Sequence, residues 1–322
     1  MREALFIKKN KDRWERIQEQ TPRDADEMAA DFTRLVDDLA YAKTFYPASK
    51  VTRFLNSQAA RIYLGIYRNR KEETNRLVRF WRLDLPLTIR RHHRILFFSL
   101  LLFVVFFAVG FFSSSQDESF VREVLGDSYV NMTQQNIDQG HPFGVYNAGS
   151  PFWMWIGIMI NNIVVSLMYF VKGLALGVLS LTAMIKEAIR LGAFEQYFFA
   201  RGLGWQSVLV VSIHGILEIS SIIMSCSAGV VMGTSVLFPG TRTRLASWKQ
   251  GTKDGVKIVI GLLPVFGVAA FFEGFVTRHA GMPRWLSILM LLGSVSFVIW
   301  YFLVYPIVLQ QQLDRTAHAN QA

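Results

Sequence analysis

The sequence predicts an all-α, polytopic membrane protein with a soluble helical domain in front, and three observations carry that prediction. Mean hydropathy is +0.28 with 52% hydrophobic residues, more than a soluble domain of this length tolerates once its polar surface is counted. Residues 95–112, ILFFSLLLFVVFFAVGFF, run 18 residues without a charge, enough for one crossing of a bilayer. Charge is also segregated. Residues 1–94 hold 21 Lys and Arg against 13 Asp and Glu, residues 113–152 hold one Arg against five acids, and residues 238–257 hold five Lys and Arg against Asp254. Basic segments stay on the cytoplasmic side, so the net charge of +10 follows membrane topology. No nucleic-acid-binding module is present, and none is expected as a partner.

Residues 1–94 form the first predicted domain. IKKNKDRWERIQEQ, DADEMAADFTRLVDDLAYA and SKVTRFLNSQAARIYLGIYRN each repeat apolar residues at three- and four-residue spacing, the mark of amphipathic helices. Thr21-Pro22 and Pro47-Ala48-Ser49 supply the breaks, and Phe32, Leu35, Leu39 and Phe45 are the predicted core. RFWRLDLPLTIRRHHR then reads as an interfacial elbow, with Trp81 at the headgroups and Arg90, Arg91 and Arg94 toward the cytoplasm.

Residues 95–309 are the predicted transmembrane bundle of about six segments. The first is 95–112. An external polar loop, 113–151, comes next, with turn signals at Gly126, Gly140 and Gly144. The second segment covers 152–170. The third, VKGLALGVLSLTAMI, is short and Gly-interrupted, which suggests a broken or re-entrant helix, yet counting from the charged loops requires it to cross. The fourth, 206–237, is too long for a straight crossing, so an interfacial or broken start before Gly215 is expected. The fifth is 257–276 with a kink at Pro264, and the sixth is 286–309. TRHAGMPR puts two Arg on the outer side, against the charge rule. A polar tail, 310–322, returns to the cytoplasm, placing both termini inside. The lone Cys226 reads as a packing residue.

The residues with chemistry are those a bilayer tolerates least. His214 and Glu218 stand one helical turn apart in HGILE; Glu273 is a second embedded acid on the next span; Asn161 and Asn162 lie midway along the second. Embedded ionisable groups face the bundle interior and find partners, so these five side chains are expected to meet in one polar cluster. Three roles fit it: interhelical hydrogen bonding, a proton or ion path, and a metal site. His-x-x-x-Glu offers only two ligands where zinc takes three or four, so the sequence names no metal and no cofactor. Gly173 with Gly177 and Gly229 with Gly233 are GxxxG pairs suited to close helix packing, with Gly215 a further small position; they also permit a homo-oligomer. No P-loop, dinucleotide-binding, kinase or nucleophile-elbow signature occurs, and an enzyme is not expected.

The Asn161–Asn162 span, VKGLALGVLS, the HGILEIS signature and EGFVT together resemble the stage II sporulation protein M family, also known as DUF95. FIKKNKDRWERIQEQ is similar to the opening of its long, non-sporulation members. The resemblance implies signature positions at His214, Gly215, Glu218 and Glu273, and a multi-pass protein of the bacterial inner membrane. It also implies a non-enzymatic scaffold for envelope remodelling, with peptidoglycan hydrolases or an AAA-type ATPase as the partner classes. The alternative is a proton- or ion-coupled transporter or channel using the His/Glu/Asn cluster.

Overall fold

The computed structural model describes residues 2–19, 25–68, 76–143, 150–277 and 283–319. Every element among them is helical, and the chain divides into two compact units, Met1–Arg76 and Leu77–Ala322.

The first unit contains α1 (Glu3–Glu19), α2 (Ala25–Phe45) and α3 (Lys50–Arg68). Their apolar stripes close on one core holding Phe6, Trp14, Ile17, Leu35, Leu39, Leu55 and Ala59. Trp14 donates its indole N–H to Asp38 Oδ2 at 2.8 Å, and Arg13 pairs with the same carboxylate, so the polar edge of a buried ring is satisfied. Thr52 donates to Tyr46 O at 2.6 Å, closing the Pro47-Ala48-Ser49 turn. Of the four predicted core residues, Leu35 and Leu39 are buried and Phe32 packs against the core. Phe45 is 58% exposed: it is the last residue of α2, and its ring contacts are with Tyr41 and Tyr46. The Thr21-Pro22 break lies outside the described residues.

The boundary falls at Arg76, earlier than the expected position 94. Residues 77–94 belong to the second unit because Leu85 and Ile89 of α5 (Leu85–Arg91) are fully buried in its core beside Phe170, Ile258, Leu262 and Phe266. Trp81 goes with them. It lies half-buried against that core, and Tyr301 donates its hydroxyl proton to the Trp81 carbonyl at 2.8 Å. Trp81 is thus held by the bundle itself.

Five helical segments of the second unit are long and apolar enough to cross a membrane: His93–Gln116, Pro151–Leu174, Gly204–Leu237, Arg244–Val276 and Trp285–Ala319. They contain α6 (His93–Gln116), α9 (Pro151–Val171), α11 (Gly204–Leu237), α12 (Arg244–Phe271), α13 (Arg284–Ile299) and α14 (Tyr305–Ala319). A further helix, α10 (Val178–Phe199), is not among these five and runs beside α6 in the same direction. Phe103 shares a core with Met184 and Ala188 near one end, and Phe111 meets Phe199 near the other. The two helices approach through Gly110 and Gly192: a β-carbon at Gly192 would stand 2.2 Å from the Phe107 carbonyl oxygen. Lys186, Glu187 and Arg190 keep α10 less apolar than its neighbours, and Arg190 pairs with Glu187 at 3.3 Å.

The third predicted segment is thus displaced. Lys172–Leu174 is a 3₁₀ turn, and Leu176 (φ 55°) and Gly177 (φ 83°) are left-handed, which reverses the chain before α10 begins. Glycine spacing here marks a turn rather than an interrupted crossing. The expected external loop is also largely helical. Asp117 caps α7 (Glu118–Leu125) by accepting the Ser119 N–H, Gly126 (φ 88°) turns the chain, and α8 (Asp127–Asp138) comes after it. Val121 and Val130 pack on Tyr197 and Phe198 of α10; Gly144 lies outside the described residues.

α11 has 34 residues and no break at Gly215, so it is about 51 Å long at 1.5 Å per residue, against a hydrocarbon core of about 30 Å. It is longer than one straight crossing needs, and it passes through Gly215 as a continuous helix. The basic segment expected as a loop over 238–257 is helical from Arg244, where Thr243 caps α12. Pro264 sits inside α12, and the helix ends in a π turn over Phe272–Val276. The last span likewise continues beyond 309 as α14 to Ala319. TRHAGMPR falls mostly outside the described residues. Cys226 is buried between Phe103, Met184 and Ile223.

Candidate intramembrane site

Two sets of contacts position the site. The first is a seam of small residues between α11 and the α9–α10 turn. A β-carbon at Gly173 would stand 2.2 Å from the Gly229 carbonyl oxygen, and one at Gly233 would stand 2.1 Å from the Gly177 nitrogen. The two GxxxG pairs therefore lie against each other, backbone on backbone. Beside the seam, Ser180 donates to Tyr169 O at 2.6 Å, and Ser166 donates to Ser225 Oγ at 2.6 Å, whose own proton goes to Ser221 O at 2.8 Å. Gly215 differs: a β-carbon there would meet only its own helix, at Val211 Cγ1 3.6 Å and Ile219 3.9 Å. Gly215 is thus no close-packing position. It forms part of an apolar groove of about 750 Å³ with Phe103, Leu191, Ile219 and Phe302.

The second set fixes α12 against α9. Trp155 donates its indole N–H to Gly267 O at 3.0 Å, and Gly274 lies against the Trp155 backbone. The π turn over Phe272–Val276 begins here, with Thr277 N–H bonded to Phe272 O at 2.9 Å. A π turn adds one residue to the helical repeat and rotates the residues after it, a device common at functional sites. Glu273 lies within this turn, opposite α11.

His214, Glu218 and Glu273 come together, with their ligand-capable atoms all within 4.8 Å of one another. One α-helical turn separates His214 from Glu218, and the third group arrives from the π turn that ends α12. His214 is 4% exposed and the two carboxylates are partly buried. His214 Nδ1 lies 3.3 Å from Thr277 Oγ1, and that hydroxyl donates its one proton to Phe272 O at 3.1 Å. The imidazole proton is therefore assigned to Nδ1, leaving the lone pair on Nε2.

The expected five-residue cluster is smaller in the structure. Asn161 points outward and is exposed, because adjacent residues on a helix diverge by about 100°. Asn162 is 5% exposed, and its amide nitrogen has no hydrogen-bond partner among the described residues; no hydrogen bond ties it to the three ionisable groups. Thr277 is legible as the last residue of EGFVT but carries no periodic signal. A second polar cluster escapes sequence reasoning. Asp254, 1% exposed, accepts from Arg91 at 2.9 Å and Gln250 at 2.8 Å and faces His92 Nε2 at 3.0 Å. The signal available is one acid alone in a basic segment, with RRHHR to answer it.

Comparison with known families adds one deciding match: the family model for stage II sporulation protein M covers residues 99–278, more than half of the chain. The chain belongs to the stage II sporulation protein M family. That match spans all of α9 to α12 and contains His214, Glu218 and Glu273, so the triad lies in the part that defines membership. A separate model, a domain of unknown function (DUF8413), matches residues 4–68, the three helices of the first unit. No curated protein and no solved structure matches the chain.

Proposed function

We propose that this chain is a non-enzymatic scaffold of the bacterial cytoplasmic membrane, with both termini on the cytoplasmic side, whose amino-terminal helical unit recruits partners for envelope remodelling. One observation carries the reading: the unit Met1–Arg76 has its own closed core and its own family match, separate from the membrane bundle. Its surface leaves large apolar side chains uncovered toward both ends, with Leu5 60% and Leu64 62% exposed, and these are the positions at which a partner's contact is tested. The basic segments around Arg91 and Arg244 favour a cytoplasmic position by the charge rule. The partner classes are those the family resemblance implies, a peptidoglycan hydrolase or an AAA-type ATPase.

Two measurements test it. Cysteines introduced in Cys226→Ala protein at Asn131 and at Lys249 should label from outside and only after permeabilisation, respectively; the reverse pattern would invert the topology. Full-length protein should co-purify with a partner of those classes, and Leu5→Ser with Leu64→Ser should release it while the bundle stays intact. Retention by the double variant would remove the docking role.

A second reading, an ion path, is favoured by the His214–Glu218–Glu273 triad, since embedded His and Glu serve as relay groups. Flux in liposomes that Glu218→Gln abolishes would carry it, and no flux above protein-free vesicles would end it.

A further inference from the structure

The triad has a property neither reading uses. It combines one imidazole and two carboxylates from two helical segments, inside a membrane bundle, and the chain departs from α-helical regularity where it is assembled. Two ionised carboxylates in a medium of low dielectric repel each other and lose hydration. A divalent cation cancels that charge completely: two carboxylates and one neutral imidazole around an ion of +2 sum to zero, which is the state a bilayer interior tolerates best. The donor set is also selective. Calcium and magnesium take oxygen donors almost exclusively, whereas a nitrogen among oxygens suits zinc, manganese, iron or cobalt.

We propose that His214, Glu218 and Glu273 form a three-ligand site for a divalent transition-metal ion, with Thr277 orienting the imidazole. Three details support the assignment. The ligand atoms lie within 4.8 Å of one another, and a tetrahedral ion with bonds of about 2.0–2.2 Å requires separations of about 3.3 Å. Binding would draw the carboxylates of Glu218 and Glu273 inward by about 1–1.5 Å. Nδ1–H on Thr277 Oγ1, itself bonded to Phe272 O, presents Nε2 as the ligand nitrogen; this is the outer partner that metal-binding histidines characteristically have. Finally, Glu273 reaches the triad from within a π turn, where the regular α-helical repeat is broken. The His-x-x-x-Glu pair is one ligand short on its own helix, and only the packing of α12 and its π turn against α11 supplies it.

Among the described residues three protein ligands are at hand, which leaves a position for water or another donor. The site can therefore lock α11 to α12 or present a bound ion to a passing group. Binding at equilibrium requires neither partner capture nor ion flux, so the inference stands apart from both readings of function and its failure would leave them untouched.

The test uses the full-length chain without an affinity tag containing histidine, in detergent and again in lipid nanodiscs. Zinc and manganese are titrated calorimetrically after chelation, and bound metal is counted by mass spectrometry. One ion per chain is expected, with an X-ray absorption spectrum showing nitrogen and oxygen neighbours and no sulfur. Glu218→Gln and Glu273→Gln keep shape and should each weaken binding at least about a hundredfold, while Thr277→Val should weaken it by about 10–100-fold through the lost outer partner. Zinc should raise the melting temperature of the parent protein and leave that of the Gln variants unchanged. If His214→Ala fails to fold, the Gln variants, checked by gel filtration, carry the test. The proposal is overturned if the folded parent protein binds no ion at one equivalent, or if the Gln variants bind as tightly as the parent, which would assign the metal to surface histidines.

Discussion

Gly233→Ala tests the seam that holds the bundle in register, and its cost can be worked from the contacts. The added methyl would stand 2.1 Å from Gly177 N and 2.3 Å from the Leu176 carbonyl carbon. Both are backbone atoms of a left-handed turn, with Leu176 at φ 55° and Gly177 at φ 83°, so no side chain can swing aside. Reaching an ordinary contact of about 3.5 Å requires the α9–α10 turn to retreat by about 1.2–1.4 Å. Overpacking of this kind costs about 1–3 kcal/mol, and a backbone contact belongs at the upper end. Alanine returns up to about 1 kcal/mol of helix propensity. The expected net loss is about 2 kcal/mol, a fall of about 4–8 °C in melting temperature for a unit of this size. Gly157→Ala is the internal control, because nothing lies within 4 Å of a β-carbon there; it should be neutral or slightly stabilising. Thermal unfolding in detergent, followed by gel filtration, reads both. Equal stability of Gly233→Ala and the parent, or an equal loss in Gly157→Ala, would refute the close-packing argument.

Three further outcomes are expected in other parts of the molecule. Leu35→Ala should remove about 2–5 kcal/mol from the first unit, most of what a unit this small possesses, so residues 2–68 should become protease-sensitive while the membrane unit stays resistant. Asp254→Ala should cost about 2–3 kcal/mol, because it removes the buried carboxylate that the half-buried His92 and Gln250 are held against; Arg91→Ala should cost under about 1 kcal/mol, since Arg91 is 58% exposed, and paired melting curves decide the order. The Ser119 hydroxyl and backbone N–H hold the Asp117 carboxyl below its ordinary value of 3.8. A depressed folded value means that the cap on α7 is fully present above that ordinary value and is lost as pH falls through the lower folded one; amide exchange at Ser119 should accelerate over that acid range, and in Asp117→Ala it should be fast throughout.

The candidate site is half legible in the chain. His214 and Glu218 share a helical face by spacing alone, and a carboxylate at Glu273 in an apolar run announces that it must face protein. That Thr277 and not Asn162 partners the imidazole is not legible, because the π turn at Phe272–Val276 changes which residues after α12 face α11, and a π turn has no period to read. The VKGLALGVLS stretch misleads for a related reason. Its glycines look like helix-packing positions, and they are, but Gly177 also reverses the chain, so the helix after the turn, α10, begins at Val178 instead of Val171. Spacing alone also argues against an inward Asn161 beside an inward Asn162, since neighbours on a helix cannot both face the same core.

Sequence alone determined the class: apolar runs as long as a bilayer is thick admit only helices, because transfer free energies act on each segment by itself. Tertiary structure decided the rest. Which glycine meets which backbone, where Asp254 finds Arg91, and whether three ionisable groups become one site depend on helices distant in the chain reaching contact distance, and contact energies of that kind belong to pairs of segments that no single segment encodes.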